Sequence, residues 1–466
     1  MGAIGRFGHR AWQDLGADPA QLDGVESLGH EEVPLRSALP VGELALDSVA
    51  LASVAAGLVA VTRHGSTGGA GGGPPAVRLD PARVAASYRD DRLFRLDGEG
   101  PSVWGALSGF WRTADGWVRT HGNYPHHDAR LRAVLGLDEG SGPDEMRAAV
   151  AGRDAGVLEE QAAAAGAILV RVRGVEEWRE HDQARAAARR PLLELADLGP
   201  GPARPWREAP AGDGRPLAGV RVLDLTRVIA GPTATRDLAF AGADVLRVDT
   251  PRTPEIEWQH LDTGQGKRCA VVDLASGAGR DALEELLASA DVVVTGYRPG
   301  SLTGFGLEAD QLAARHPGLV VGRVSAWGTG GPWSARRGFD SIVQAASGIA
   351  MLESSDGTTP GALPAQALDH SAGHLLAAGV MTALLRQRAG GGTHLVSVSL
   401  ARVAHELLAQ PGRTEAAPDD AALPTVEADG PAGRVICAPP VLDWPGAPAS
   451  YSWVGRPWGA DEPSWA

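Results

Sequence analysis

The pattern of apolar positions divides the chain into two unlike halves. Beyond residue 216, short continuous apolar runs at 220–225, 244–249, 270–274, 291–295 and 319–324 alternate with amphipathic stretches at 232–241, 278–289 and 308–315. A strand covered on both faces reads as an unbroken apolar run, and a helix laid over it shows a 3.6-residue period. The pattern predicts an α/β fold: a Rossmann-like parallel sheet with helices on both faces. Further helices are predicted from Asp340 to about Met351 and from Ser371 to Arg388. Ligands of such sheets bind beyond the carboxyl ends of the strands, so the loops 297–306 and 325–333 become candidate contacts.

The first half is less regular. Residues 1–35 are polar and weakly periodic, and 44–64 form one apolar helix. STGGAGGGPP (66–75) reads as a flexible loop, followed by a short strand at 77–80. Ala114-Asp115-Gly116 marks a hairpin turn. Helices are predicted at 128–136, 144–151, 155–165 and 175–190, with a strand at 168–173. The predicted organisation is an N-terminal helical segment (1–92), a small α+β domain (93–196), a Pro/Gly-rich linker (197–215), the Rossmann-like domain (216–408) and an extended aromatic tail (409–466). The tail is expected to wrap across a partner domain or subunit, with its tryptophans packing rather than binding ligand.

One repeat crosses this organisation. Residues 362–404 echo 38–85: Ala-Leu-Pro, then Leu-Asp-(His)-Ser, a small-residue helix, a Gly-rich loop, a short strand and Ala-Arg-Val-Ala. The shared order of five features points to duplication or overlap.

Composition narrows the function. A net charge of −14 over 466 residues argues against bulk attraction to nucleic acid or an anionic membrane, but leaves room for a local basic site. Two cysteines, Cys269 and Cys437, support neither a disulfide framework nor a Cys-based zinc site, which fits a cytoplasmic setting. The opening residues lack the features of a signal peptide, and the apolar run Ser48–Val61 is too short to span a bilayer. In RTHGNYPHH (119–127) the adjacent His126 and His127 are poor chelators, so a loop or substrate-facing role is expected and no metal site. A dinucleotide site fails as well. The turn after the first strand, RVIAGPTAT, holds the single glycine Gly231 in place of G-x-G-x-x-G, and leaves Asp249 at the end of the second strand without its usual context.

A more specific likeness lies in PLAGVRVLDLTRVIAGPTAT, GADVLRVDTP, GKRCAVVDL, ADVVVTGYRPGSLTGFGL, RRGFDSIVQAASG and LPAQALDHSAG. In this order and spacing they resemble the family III CoA-transferases of the CaiB/BaiF type, nearly continuously over 216–408. The resemblance implies a carboxylate nucleophile at Asp369, which attacks an acyl-CoA thioester to give an anhydride and then an aspartyl-CoA thioester that a second carboxylic acid collects. By local sequence alone Asp369 reads more readily as an ordinary helix N-cap than as a catalytic group, and it is the surrounding motifs of the resemblance that reverse this. Acyl-CoA and a carboxylic acid would be substrates, with no tightly bound cofactor. Positions matching the family's CoA contacts are Arg227, Val228, Arg247, Lys267, Arg268, Tyr297, Arg298, Trp327 and Gly328. Family members form interlocked homodimers. Asp47, the repeat's counterpart of Asp369, is expected to be a structural cap.

Residues 110–190 more loosely resemble the part that follows the catalytic half in this family, through DGWV, RLRAVLGL and the Glu-Trp of Val175–Trp178. The order of parts is then inverted, as in a circular permutation or a fusion of half-units. Two rival activities remain open. One is an acyl-CoA racemase, although Phe339 stands where such enzymes carry the histidine of Gly-His-Asp. The other is a non-catalytic CoA-binding protein.

Overall fold

The computed structural model describes residues 4–29, 31–64, 74–210 and 212–466; most of the loop predicted at 66–75 lies outside them. A seven-stranded sheet dominates. Its strands are β1 (Glu194–Gly199), β2 (Arg221–Leu225), β3 (Asp244–Asp249), β4 (Arg268–Val271), β5 (Val292–Thr295), β6 (Val320–Ser325) and β7 (Thr393–Ser399). They lie in the order β4-β3-β2-β5-β6-β7-β1, all parallel except the β7–β1 pair. Strand order reverses between β2 and β5, which opens a crevice at their carboxyl ends.

Six helices position the site. They are α1 (Val41–His64), α2 (Pro81–Tyr88), α3 (Ala230–Phe240), α4 (Asp340–Ser347), α5 (Ala367–Gly390) and α6 (Leu400–Ala409). Helix α3 is buried along its whole length between the sheet and α5. Their close approach needs glycine at Gly373, where a Cβ would come within 2.6 Å of the Ala230 carbonyl oxygen. Helices α1 and α5, the two halves of the repeat, make the most extensive helix–helix contact among the described elements.

Several expectations change. Helix α5 begins at Ala367 rather than Ser371, so Asp369 sits inside its first turn and not at the N-cap, which is Gln366. The helix predicted at 340–351 breaks at Gly348, whose φ of 91° is left-handed. The helix predicted over 175–190 splits at His181, which is extended, into Val175–Glu180 and Asp182–Ala188. The start of the supposed linker belongs to β1. Helix α1 outruns the apolar run at its centre: Val41–Arg63 is long and apolar enough to cross a membrane, yet it is mostly buried within the protein.

The small domain carries the sheet Gly109–Arg112, Trp117–Thr120 and Leu169–Arg171, backed by helices Pro125–Leu135, Pro143–Ala151 and Ala155–Ala165. The C-terminal tail straps its own Rossmann-like domain. Asp461 accepts from Cys269 N (2.9 Å) on edge strand β4, and the indoles of Trp453, Trp458 and Trp465 donate to Lys267 O, Asp249 and Leu286 O. Covering an open sheet edge in this way removes a template for unwanted pairing. Both cysteines are free and buried.

Candidate active site

Asp369 is set by a carboxylate twenty-nine residues earlier. Leu368 N and Asp369 N donate to Asp340 Oδ2 at 2.8 and 3.1 Å, so Asp340 at the head of α4 caps α5 across space. Gln344 donates its side-chain amide to Asp340 and accepts from Leu363 N (2.9 Å), which fixes the cap. The Asp369 carboxylate itself accepts no hydrogen bond from the described residues. It is 7% exposed, and burial, then Asp340 and Asp90, push its pKa well above the ordinary carboxylate value. Asp340 is itself raised to about 6, chiefly by burial.

Beneath Asp369, the N-terminal segment locks onto α5. Tyr88 at the end of α2 shares a 2.9 Å hydrogen bond with Ser371, and Asp90 lies 3.5 Å from His370 Nε2. One turn on, His374 Nδ1 is 2.7 Å from Asp237 of α3. His370 is thus turned into the interior, away from the pocket that Asp369 faces.

That pocket is small, about 30 Å³, and both halves of the chain wall it. Asp91, Trp104, His121 and Asn123 come from the first half; Val228, Phe339, Asp340 and Asp369 come from the second. His121 lies flat on Phe339, with ring centroids 3.9 Å apart and planes at 7°. Val228 and Phe339 also line an adjoining cavity of about 280 Å³ with Tyr124, His126, His127, Arg227, Arg298 and Arg337. This cavity is cationic. Burial and then the neighbouring Arg298 and Arg130 lower Arg337 to about 10, a sign of crowded guanidiniums. Arg130, outside the cavity's walls, has its Nη1 buried with no partner among the described residues. Through Thr253, Tyr297 and Ser301 the cavity meets a third, of about 310 Å³, with walls that include Leu225, Val248, Val272, Leu302 and Phe305. An apolar recess, a cationic groove and a buried carboxylate thus follow one another at the carboxyl ends of the strands.

Val228 occupies the junction with φ 71°, a strained conformation for a β-branched residue. Its N–H donates to Glu255 Oε2 at 3.0 Å. Tyr124 donates to the same carboxylate, and Arg247 and Arg227 pair with it at 3.1 and 3.5 Å. Against the burial that would raise it, these cations hold Glu255 at about 2. Glu255 therefore anchors the turn that carries Arg227 and Val228.

The predicted contacts divide accordingly. Arg227, Val228, Tyr297 and Arg298 line the groove. Arg247, Lys267 and Arg268 depart from expectation. Arg247 is 1% exposed and spent on Asp249 and Glu255. Lys267 is buried against Asp224 (3.2 Å), Thr235 and Pro232 O. Arg268 pairs with Asp244 and Ser464 O at the sheet edge. Trp327 belongs to an aromatic cluster with Trp178 and Trp333 and touches a separate cavity of about 380 Å³; Gly328 follows it at φ 82°. Asp249, His260 and Cys269 bring ligand-type atoms within 4.8 Å of one another, but Asp249 is already engaged by Arg247 and Trp458. Sequence reasoning missed Arg337, Arg130, Asp340 as a cap, and Glu255.

Residues 217–429 match the family model for CoA-transferase family III. A protein of Mycobacterium tuberculosis (strain ATCC 25618 / H37Rv) named "Probable fatty acyl-CoA transferase" is 34% identical over 203 residues, 41% of this chain and 52% of that protein. The succinyl-CoA:glutarate CoA-transferase of Mus musculus is 34% identical over 198 residues, 39% of this chain and 45% of that protein. The crystal structure of a CaiB/BaiF family protein from Brucella suis is 27% identical, covers 42% of this chain and 56% of that one, and superposes with a TM-score of 0.39. The chain spans about half the length of the curated relatives it matches.

Proposed function

We propose, from the premise that residues 217–429 belong to CoA-transferase family III, that this chain moves CoA from an acyl-CoA to a carboxylic acid with Asp369 as nucleophile. The observation that carries the reading is the continuous route from the apolar recess through the arginine-lined groove to the buried Asp369. An adenine fits the recess by its apolar walls. The CoA phosphates fit Arg298 and Arg337, which stand on a groove without carboxylates on its walls, with Arg227 beside them although Glu255 already pairs it from behind. The thioester then passes between Val228 and Phe339 to reach Asp369.

In the first step an Asp369 oxygen bonds to the thioester carbonyl carbon and the C–S bond breaks, releasing CoA thiolate and leaving an acyl-aspartyl anhydride. The thiolate attacks the aspartyl carbonyl and expels the first carboxylate, giving an aspartyl-CoA thioester. An incoming carboxylate repeats the sequence in reverse and leaves with CoA. Excluding water from a pocket this small protects both intermediates from hydrolysis. The inverted order of the two halves fits a circular permutation, with the nucleophile pocket walled by residues from both sides of the cut.

Mass spectrometry of the protein after incubation with acetyl-CoA tests the reading. An acyl or CoA adduct on Asp369, trapped with hydroxylamine, is expected. Full transfer activity in Asp369→Ala would overturn it.

A further inference from the structure

The segment His121-Gly122-Asn123-Tyr124-Pro125-His126-His127 has no role in the chemistry above, yet it lines the route to Asp369. Tyr124, His126 and His127 stand on the cationic cavity, and His121 and Asn123 on the nucleophile pocket. Asn123 is fully engaged. Its Oδ1 accepts from Gly105 N (2.9 Å) and Ser108 Oγ (2.7 Å), and its Nδ2 donates to Val103 O (2.9 Å), so it pins the loop that carries Trp104.

His121 differs. It is 5% exposed, and its Nδ1 is buried with no hydrogen-bond partner among the described residues. Nε2 also makes no hydrogen bond among the described residues but keeps accessible surface, so it is the ring nitrogen open to the pocket that His121 lines. The ring is held flat on Phe339 and edge-on to Trp104 at 6.0 Å. Behind it, the Arg119 guanidinium lies 4.7 Å over Trp104 and 4.8 Å over Phe110. Burial, then this cation, lowers His121 to about 3, so the imidazole is neutral. A neutral imidazole has one N–H to give, and so depressed a ring is a poor base.

We propose that His121 donates this N–H to the acyl carbonyl oxygen of the thioester that Asp369 attacks; the inference rests on the transferase reading. As an Asp369 oxygen bonds to the carbonyl carbon, the carbonyl π pair moves onto oxygen. The C–S bond then breaks, its pair leaves on the CoA sulfur, and the C=O re-forms. No proton is transferred: the N–H holds the oxyanion while it lasts. Neutrality suits this task, because an imidazolium in the same pocket would pair with the nucleophile and quench it. A neutral histidine that polarises a carbonyl is a known solution to this problem.

The test compares His121→Gln with His121→Met. The two side chains are alike in shape and both abolish the ring stack, but only glutamine keeps an N–H. With acetyl-CoA as donor and a panel of short carboxylic acids, kcat of His121→Met is expected about 10²–10³-fold below the parent chain. His121→Gln should exceed it by at least ~30-fold, with KM for acetyl-CoA within about threefold in both. Packing damage is common to the pair, so their difference reports the donor. Equal kcat values, or changes confined to KM, overturn this inference alone. If the parent chain forms neither product nor Asp369 adduct, the transferase reading falls and takes the inference with it.

Discussion

Asp47 and Asp369 occupy the same place in a repeat and do opposite things. Each follows Ala-Leu-Pro and sits on a 24-residue helix, and the two helices pack on one another. Helix α1 starts at the residue after its proline, whereas α5 starts three residues after its own. Asp47 is therefore the seventh residue of its helix and Asp369 the third. A full turn deeper, Asp47 is 1% exposed and spent on other chain: it accepts from Gly5 N (2.7 Å) and Gly8 N (2.8 Å), capping the helix Arg6–Asp14. Asp369 is relieved of capping because Asp340 accepts both amides in its place. The strands that follow diverge too. Thr393–Ser399 enters the main sheet, while Val77–Leu79 pairs, among the described residues, with Val25–Ser27 alone. One sequence motif thus yields a free carboxylate or a structural one, according to what else satisfies the nearby amides.

The sharpest way to break the comparison is to delete each carboxylate. Asp369→Ala should cut CoA transfer by at least ~10⁴-fold, as loss of a covalent nucleophile does, while leaving CoA binding nearly intact. Asp47→Ala should keep transfer within about twofold. Calorimetric titration with CoA alongside a transfer assay checks both. If the two variants lose activity alike, the repeat contains two equivalent sites and the distinction fails.

Much of this contrast was invisible in the sequence, for physical reasons. The sheet was legible because strands buried on both faces give continuous apolar runs, as at 220–225 and 291–295. The family motifs then led to Asp369. The cap was illegible because its acceptor, Asp340, is tertiary. Arg247 and Lys267 were misplaced because a cation at a strand end looks the same whether it faces solvent or, as here, Glu255 and Asp224 in the interior. Arg337 and Arg130 come from different halves, and only folding brings their charges close enough to act on one another. His121 had a faint signal: a polar cluster, His-Gly-Asn-Tyr, directly after a predicted hairpin.

Asp340 offers a finer test, with an intermediate effect. Asp340→Ala removes the acceptor for two amides and should lower kcat by about 10–10²-fold while destabilising the fold by about 1–2 kcal/mol. Asp340→Asn keeps an acceptor but removes a negative neighbour of Asp369. The proposed mechanism needs Asp369 ionised, and its pKa is raised by burial, Asp340 and Asp90, so kcat should climb with pH above the ordinary carboxylate range. In Asp340→Asn that climb should move to lower pH. A pH–rate profile showing no shift would mean that Asp340 acts only as a cap.

The smallest effect concerns Asp47 and its pH dependence. Each hydrogen bond it accepts is worth about 0.5–1.5 kcal/mol, so Asp47→Ala should cost about 1–2 kcal/mol by urea denaturation near pH 5. Burial raises Asp47 from 3.8 to about 7 in spite of the amides of Gly5 and Gly8. A raised folded-state pKa stabilises where the group is protonated. The contribution is fully present below the unfolded value near 3.8 and is lost as pH rises through about 7. The stability gap between the parent chain and Asp47→Ala should therefore narrow between pH 5 and pH 8. A gap that widened instead would show Asp47 held as a carboxylate by its two amides, the state that the proposed mechanism requires of Asp369.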